Sequence, residues 1–162
     1  MIRKAIVDDI KRISEITSKA WQTNYVGIID NDFLKTRTPE IAFNRWQEAK
    51  WLEKEIFDIY VFEENNFVKG FIAGIKHEKD NSCEIVIFYV EPQYQKQGIG
   101  TKLLDFMIGH YKCQCYKKMF IWTVKGFPNN EFYKKYGEII PENKEYTYGD
   151  KKYQGIGYII NL

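Results

Sequence analysis

Hydrophobic residues recur along this chain with helical spacing at first and with strand-like spacing later. The first third carries an apolar stripe at intervals of three to four residues, which predicts an amphipathic helix. That stripe consists of Ile10, Ile13, Ile16, Ala20 and Trp21. Further along, apolar runs at 56–62, 67–77 and 83–90 are separated by short polar segments. These runs predict three consecutive strands joined by tight turns.

The rest of the chain alternates between the two element types. A short strand at 2–6 precedes the first helix, and two helices follow it, at 30–35 and from Pro39 onward. After the three strands, a helical stripe extends from 103 to 111. The chain then shows a strand, a short helix and two closing strands, at 118–124, 129–136, 138–140 and 153–160. This order predicts a mixed α/β fold with helices on both faces of one sheet.

The last of the three central strands leads into a glycine-rich turn and then into a helix. Its residues Ile85 to Val90 are apolar on both faces, which predicts a strand in the middle of a covered sheet. The first N–H groups of a helix lack internal partners, and the helix dipole is positive there. Because Gly98 and Gly100 carry no Cβ, a phosphate can approach the backbone closely. The segment therefore predicts a phosphate site.

Two common phosphate-binding motifs do not fit this turn. A Walker loop needs Gly-Lys-Ser/Thr after its last glycine, whereas Gly100 is followed by Thr101 and Lys102. A dinucleotide-binding fingerprint needs three glycines, and this segment has two. The spacing therefore favours neither a P-loop nucleotidase nor a Rossmann dehydrogenase.

Size, charge and cysteine usage narrow the classes of function. A chain of 162 residues suits one domain, and its formal charge of +2 is too balanced for a nucleic-acid-binding face. No apolar run approaches the ~20 residues that cross a bilayer, and the N-terminus lacks the apolar core of a signal peptide. Cys83, Cys113 and Cys115 include no Cys-x-x-Cys pair, which favours neither a disulfide framework nor a zinc site. We therefore expect a cytoplasmic protein that binds no metal, nucleic acid or membrane.

The glycine-rich turn resembles a cofactor loop of one enzyme superfamily. The pattern Gln95-x-x-Gly98-x-Gly100, between Tyr-Val-x-Pro and Thr-Lys-Leu-Leu, is similar to the acyl-CoA pyrophosphate loop of GNAT N-acetyltransferases. The predicted element order also resembles the GNAT fold over the whole chain. The resemblance implies a single domain over 1–162 and an α/β fold (α+β by some schemes). Its central sheet would be mixed, mostly antiparallel, and of about seven strands.

The resemblance also implies acetyl-CoA as cofactor, with coenzyme A as product. The loop backbone would hold the pyrophosphate, and the backbone of 88–90, splayed away from 120–124, would face the pantetheine arm. In a second family motif, around Phe132 and Tyr133, the usual asparagine position is held by Gly126, so two nearby asparagines stay candidates. The expected cofactor contacts are Phe88, Tyr89, Val90, Gln95, Lys96, Gln97, Gly98, Ile99, Gly100, Thr101, Asn129 and Asn130.

Two residues are candidates for the chemistry. Acetyl transfer to an amine needs a neutral amine, a stabilised carbonyl oxygen and a proton for the departing thiolate. Tyr133 matches the tyrosine acid of the family's second motif. Glu84 is the candidate general base, because a carboxylate is unexpected at the start of a buried strand. Glu91 and Asp30 are weaker alternatives for the base.

The acceptor amine is the least determined part of the sequence-based hypothesis. The segment Ala20 to Asp30 looks like one that flanks the acceptor cleft in a bacterial branch of the family, so Trp21 and Tyr25 are expected to shape that pocket. The implied activity is transfer of an acetyl group to a primary amine of a small molecule or peptide, by direct attack in a ternary complex. A non-catalytic acyl-CoA-binding regulatory module is the alternative. A toxin-like enzyme acting on charged tRNA is a third hypothesis, which the balanced charge disfavours. Many members of the family dimerise, so the resemblance also allows a homodimer.

Overall fold

Eight strands form one sheet in the computed structural model, which describes all 162 residues. The strands are β1 (Ile2–Lys4), β2 (Phe57–Glu64), β3 (Phe67–His77), β4 (Ser82–Val90), β5 (Lys118–Val124), β6 (Glu138–Ile140), β7 (Glu145–Tyr148) and β8 (Lys151–Asn161). The α-helices are α1 (Ile10–Asn24), α2 (Asn31–Lys35), α3 (Pro39–Ala49), α4 (Ile99–Cys113) and α5 (Asn130–Tyr133). None of these helices is long and apolar enough to cross a bilayer.

The sheet is mixed and mostly antiparallel, as the resemblance implied. Its order is β1-β2-β3-β4-β5-β8-β6, and β7 pairs with β8 outside this path. β4 and β5 are the one parallel pair, because α4 carries the chain from one to the other as a crossover. The sequence predicted about seven strands, and the additional strand is β7, a short hairpin partner of β8.

Helices cover both faces of the sheet, which the sequence also predicted. On one face, α1 and α3 bury Ile13, Ile16 and Trp46 against β2 and β3. On the other face, α4 buries Leu103 and Met107 against β3, β4 and β5. Each Å² of apolar surface removed from water contributes about 25 cal/mol to stability, so these two layers are the main source of stability. The α1 and α3 layer does not extend over β5, β8 and β6, so that part of the sheet is open.

Local signals in the sequence account for where the first helices begin. The side chain of Asp30 accepts hydrogen bonds from the N–H groups of Asp32 and Phe33 at the start of α2. The hydroxyl of Thr38 accepts one from the N–H of Ile41, and Pro39 occupies the first turn of α3. The second family motif forms a shorter helix than predicted, because α5 ends at Tyr133 and turns continue to Gly137.

Candidate active site

β4 and β5 separate halfway along their length, and this separation creates the main cleft. Their parallel pairing runs from Ser82 opposite Lys118 to Ile85 opposite Ile121 and then stops. On the other side of β4, Ile85 lies opposite Gly74 and Ile87 opposite Ala73, so Val86 is an extra residue. Such a β-bulge bends the strand and increases its twist. The bulge therefore lies where β4 turns away from β5.

The exposure of Val86 shows that one prediction from the sequence, a strand β4 covered on both faces, is wrong at this position. Its apolar side chain is 41% exposed, whereas the pattern predicted a strand covered on both faces. The side chain faces the cleft instead of a helix, because the bulge and the strand separation leave that part of β4 uncovered.

Two adjoining cavities fill the gap between the strands. The larger has a volume of about 330 Å³ and the smaller about 280 Å³. Five residues line both of them: Tyr25, Phe88, Tyr89, Asn129 and Tyr133. The cavities therefore adjoin along these residues, and together they are called the channel between β4 and β5.

The glycine-rich turn forms one end of this channel. Gln95, Lys96 and Gly100 line the smaller cavity. Gly98 precedes α4 with φ of +79°, a left-handed conformation that favours glycine, and no side chain caps the helix. The first N–H groups of α4 are therefore available to an anion at this end.

The remaining loop residues do not present side chains to the channel. Gln97 is exposed, and its amide donates a hydrogen bond to the Gln93 carbonyl. Ile99 is buried in the core, and Thr101 is exposed on α4. The side chain of Gln95 donates to the carbonyl of Val90 over 3.0 Å, which ties the loop to the end of β4. None of Gln97, Ile99 and Thr101 lines either cavity.

Tyr133 lies at the junction of the two cavities. Its side chain is buried, with ring centroids 5.6 Å from Tyr158 and 6.4 Å from Phe88. Burial, with a smaller contribution from the neighbouring Tyr89 and Tyr158, raises the pKa of Tyr133 well above its usual value. The phenol therefore keeps its proton near neutral pH and can act as a donor.

The two candidate asparagines have different surroundings. Asn129 lines both cavities, and its amide oxygen accepts hydrogen bonds from Thr123 and Asn130. Asn130 is buried and lines neither cavity. Its side chain donates to the Val124 carbonyl and accepts from the Gly126 N–H, so it closes the loop that precedes α5.

Glu84 is brought into the same channel as Tyr133. It lies on β4 two residues before the bulge, and its side chain is 26% exposed rather than fully buried. It lines the larger cavity and also a third cavity of about 580 Å³ on the open part of the sheet. The Nε2 of His77 lies 3.7 Å from its Oε2. The side chain of Glu84 therefore borders both the larger cavity and solvent.

Glu91 and Asp30, the two alternative candidates for the base, form ion pairs outside the two cavities. Glu91 is 1% exposed and makes ion pairs with Arg12 and, at 2.6 Å, with Lys19. Burial alone would raise the pKa of Glu91, but the hydrogen bonds from Lys19 and Arg12 hold it below its usual value. Asp30 caps α2 and pairs with Lys151 at 2.6 Å. Neither carboxylate lines the two cavities.

An aromatic wall surrounds the larger cavity. The indole N–H of Trp21 donates to the Tyr89 hydroxyl over 2.8 Å, and Tyr25 stacks on Phe127 at 3.9 Å between centroids. Burial raises the pKa of Tyr89 to about 12, so this hydroxyl stays neutral. Trp21 and Tyr25 were both expected at this place.

Sequence reasoning missed the contribution of β7 to this wall. Tyr146 and Tyr148 alternate along β7 and line the cavity together with Trp122 from β5. Burial raises the pKa of Tyr146 to about 12. The alternation in Glu145-Tyr-Thr-Tyr148, followed by Gly149 with φ of +62°, is a hairpin signal that could have identified them.

Comparison with known proteins places this arrangement in a family. A family model described as an acetyltransferase (GNAT) domain matches residues 55–137, which is just over half of the chain. The chain belongs to the GNAT acetyltransferase family. The matched region contains the separated strands, the glycine-rich turn and Tyr133.

Individual relatives agree with this assignment. The chain is 26% identical to the uncharacterised N-acetyltransferase YuaI of Bacillus subtilis, over 97% of this chain and 91% of that protein. It is 22% identical to a spermidine N(1)-acetyltransferase of Thermoplasma acidophilum, over 64% of this chain and 65% of that protein. The crystal structure of the PaiA N-acetyltransferase of Thermoplasma acidophilum with coenzyme A has the same fold. That comparison gives a TM-score of 0.74 at 17% identity and covers 100% of this chain and 98% of the other.

Proposed function

We propose that this protein transfers the acetyl group of acetyl-CoA to a primary amine by direct attack in a ternary complex. One observation carries the proposal: the channel lies between β4 and β5, with the uncapped start of α4 at one end and a buried, protonated tyrosine at its middle. An aromatic cavity with one carboxylate forms its other end. A substrate entering from each end would meet the other beside Tyr133.

The residues at the narrower end fit coenzyme A. The uncapped start of α4 and the left-handed Gly98 suit a pyrophosphate, and Lys96 adds positive charge. Backbone groups of 88–90 that β5 leaves unpaired suit an amide-containing arm and a carbonyl oxygen that gains charge. When bound, acetyl-CoA supplies the activated acyl group, so no covalent nucleophile is needed from the protein.

Two side chains would move the protons. Glu84 accepts the proton that the amine loses, directly or through a water molecule, because its carboxylate borders both the cavity and solvent. Tyr133 donates its phenolic proton to the thiolate that departs, since its raised pKa keeps it protonated beforehand. Asn129, which also lines both cavities, would contact the cofactor, whereas Asn130 would support the loop.

Release of free thiol from acetyl-CoA in the presence of an amine panel tests the proposal. The similarity to a spermidine N(1)-acetyltransferase makes polyamines one group to include, beside amino acids and peptides with a free N-terminus. We expect thiol release that requires both substrates, with an acetylated amine found by mass spectrometry. Tight binding of acetyl-CoA without turnover on any amine would instead favour a non-catalytic acyl-CoA-binding module.

A further inference from the structure

One positively charged side chain lines the larger cavity, and a second lies over an aromatic ring of the cavity wall. The guanidinium carbon of Arg37 lies 4.9 Å from the centroid of Trp21 and 5.5 Å from that of Phe33. The Nζ of Lys144 lies 5.2 Å from Trp122. Lys144 lines the cavity itself, and Arg37 lies beside it on the ring of Trp21.

Neither cation has a carboxylate partner. No carboxylate oxygen lies within 4.0 Å of Arg37 or Lys144, whereas the nearby Lys151 and Lys152 pair with Asp30 and Glu145. The guanidinium of Arg37 also donates no hydrogen bond within the protein, although the side chain is half-buried. Burial, together with the nearby Arg45, lowers the pKa of Arg37. A partly desolvated charge of this kind is stabilised when an anion binds beside it.

The wall itself disfavours a cationic guest. Arg37 already lies over Trp21 and Phe33, and Lys144 over Trp122, so several of the ring faces that attract a cation are in use. Glu84 is the one carboxylate that lines the cavity, and as the proposed base it faces the reacting amine. The charges beyond the amine are therefore positive, and the surface between them is aromatic.

We propose that the acceptor is an amino acid-like molecule, with a primary amine, an apolar or aromatic group and a carboxylate. In this assignment the planar fork of Arg37 binds the carboxylate, and Lys144 adds positive charge at the cavity. The apolar group lies against Trp21, Tyr146 and Tyr148. A polyamine, which is the acceptor named for one relative, would meet two like charges. The proposal rests on the proposed acetyltransferase function.

Three related amines test the need for a carboxylate. L-phenylalanine, L-phenylalaninamide and 2-phenylethylamine share the aromatic group, and spermidine serves as the polycation. The amide has a less basic amine than the acid and phenylethylamine has a more basic one, so amine basicity cannot explain a preference for the acid over both. We expect kcat/KM for L-phenylalanine to exceed that for each of the others by about tenfold or more, as a charged hydrogen-bonded pair allows. A preference for any of the other three overturns the proposal.

Variants assign the preference to particular residues. Arg37→Gln and Lys144→Gln should raise KM for L-phenylalanine by about tenfold with little change in kcat, and leave the amide and phenylethylamine unaffected. Lys35→Gln and Lys152→Gln, which remove neighbouring surface charges, are matched controls. Arg37→Lys keeps the charge without the fork and should recover part of the loss. An equal change for all three amines would mean that Arg37 is structural, and would contradict the proposal.

A binding measurement separates this proposal from the proposed function. Stabilisation by acetyl-CoA alone reports on the cofactor end and needs no acceptor. With coenzyme A present, N-acetyl-L-phenylalanine should stabilise the protein more than N-acetyl-2-phenylethylamine, even if turnover is slow. If acetyl-CoA stabilises the protein and the acid gives no advantage over the amine, only the assignment of the acceptor fails.

Discussion

A buried phenol where two cavities adjoin is the residue on which the proposed chemistry depends most. Tyr133 is 4% exposed, and its burial favours the neutral form. Because its pKa is raised, deprotonation of this residue should not limit the rate between pH 6 and about 10, the reference value of a free tyrosine. Because nearly all of this phenol stays protonated near neutral pH, it is not available as a general base, so the proton-accepting role falls to another group.

Tyr133→Phe tests the proton-donating role. The variant keeps the ring that packs against Tyr158 and removes only the hydroxyl, so folding should be preserved. We expect kcat to fall by about 10²-fold, within the range for general acid catalysis, with little change in affinity for acetyl-CoA. Steady-state kinetics and calorimetry measure the two quantities. Tyr116→Phe, outside the channel, is the control, and an unchanged kcat in Tyr133→Phe would exclude the hydroxyl as the acid.

Glu84→Gln tests the proton-accepting role. A primary alkyl amine has a pKa of about 10.4, so most of it is protonated at neutral pH. The loss of rate should be about 10²-fold near pH 6 and should shrink toward pH 10, where neutral amine is plentiful. A pH–rate profile of both proteins measures this. A ratio of wild-type to variant rate that stays constant over that range would contradict the role of Glu84 as the base. An equal effect of Glu142→Gln, which alters the third cavity, would also contradict it.

Motifs in the sequence located Tyr133 and the glycine-rich turn, and the predicted buried strand made Glu84 the preferred base, but the different surroundings of Glu84 and Glu91 were not visible in it. Glu84 lies within β4, and Glu91 directly follows the strand. The difference comes from α1, which brings Arg12 and Lys19 to Glu91 across more than 70 positions. The choice between Asn129 and Asn130 depends in the same way on which side chain turns toward Val124 and Gly126.

At the scale of elements, the bulge at Val86 and the ion pairs at Glu91 hold the two ends of the separated part of β4. The bulge ends the pairing with β5, and the ion pairs fasten the residue after β4 to α1. Between them, residues 87–90 pair with β3 alone. The separated part of β4 that borders the channel is therefore held by contacts with β3 and α1.

Glu91→Gln should destabilise the protein in a pH-dependent way. The variant leaves Arg12 with a buried neutral partner, which should cost about 1–3 kcal/mol at pH 7. Because the pKa of Glu91 is lowered on folding, its contribution is present above the unfolded value of about 4.3 and is lost as pH falls through the folded value. Urea unfolding from pH 7 to pH 3 should show the difference between the two proteins shrinking below about pH 4. An equal loss in the exposed control Glu48→Gln, or a difference that grows in acid, would contradict this.

Gly98→Val should damage the anion-binding turn. The left-handed backbone of Gly98 is unfavourable for a β-branched residue, so we expect a loss of about 1–3 kcal/mol in unfolding free energy. A side chain at the start of α4 should also weaken acetyl-CoA binding by about tenfold or more, as measured by calorimetry below the unfolding transition. Gly109→Ala in the same helix has open space and should leave affinity unchanged. Unchanged affinity in Gly98→Val would remove the turn from the cofactor site.

The strand that sequence reasoning missed shows the limit of periodicity at this scale. β7 has four residues and pairs only with β8, so it gives a weaker pattern than the three long central strands. Tyr148 packs against α1 and α2 through Trp21 and Phe33, and also against Tyr153 of β8, while Tyr146 stacks on Tyr148. The aromatic wall of the larger cavity therefore depends in part on contacts between segments that lie far apart in the sequence.

The whole molecule is organised around the single parallel contact in its sheet. α1 and α3 cover one half of the sheet on one face, α4 covers the other face, and β4 and β5 meet between them. This layered order was predictable, because long periodic segments fix the type and sequence of the elements. The opening between β4 and β5 was expected only through the resemblance to GNAT enzymes, since no local sequence pattern indicates where the pairing of two strands ends.

The most direct test is the thermal unfolding temperature with and without acetyl-CoA. A ligand at a hundred times its Kd stabilises the folded state by about 2.7 kcal/mol. For a domain of this size that corresponds to a rise of roughly 5–10 °C. We expect this rise for the wild-type protein and a much smaller one for Gly98→Val. An unfolding temperature that millimolar acetyl-CoA leaves unchanged would contradict the assignment of the channel to this cofactor and the proposed acetyl transfer with it.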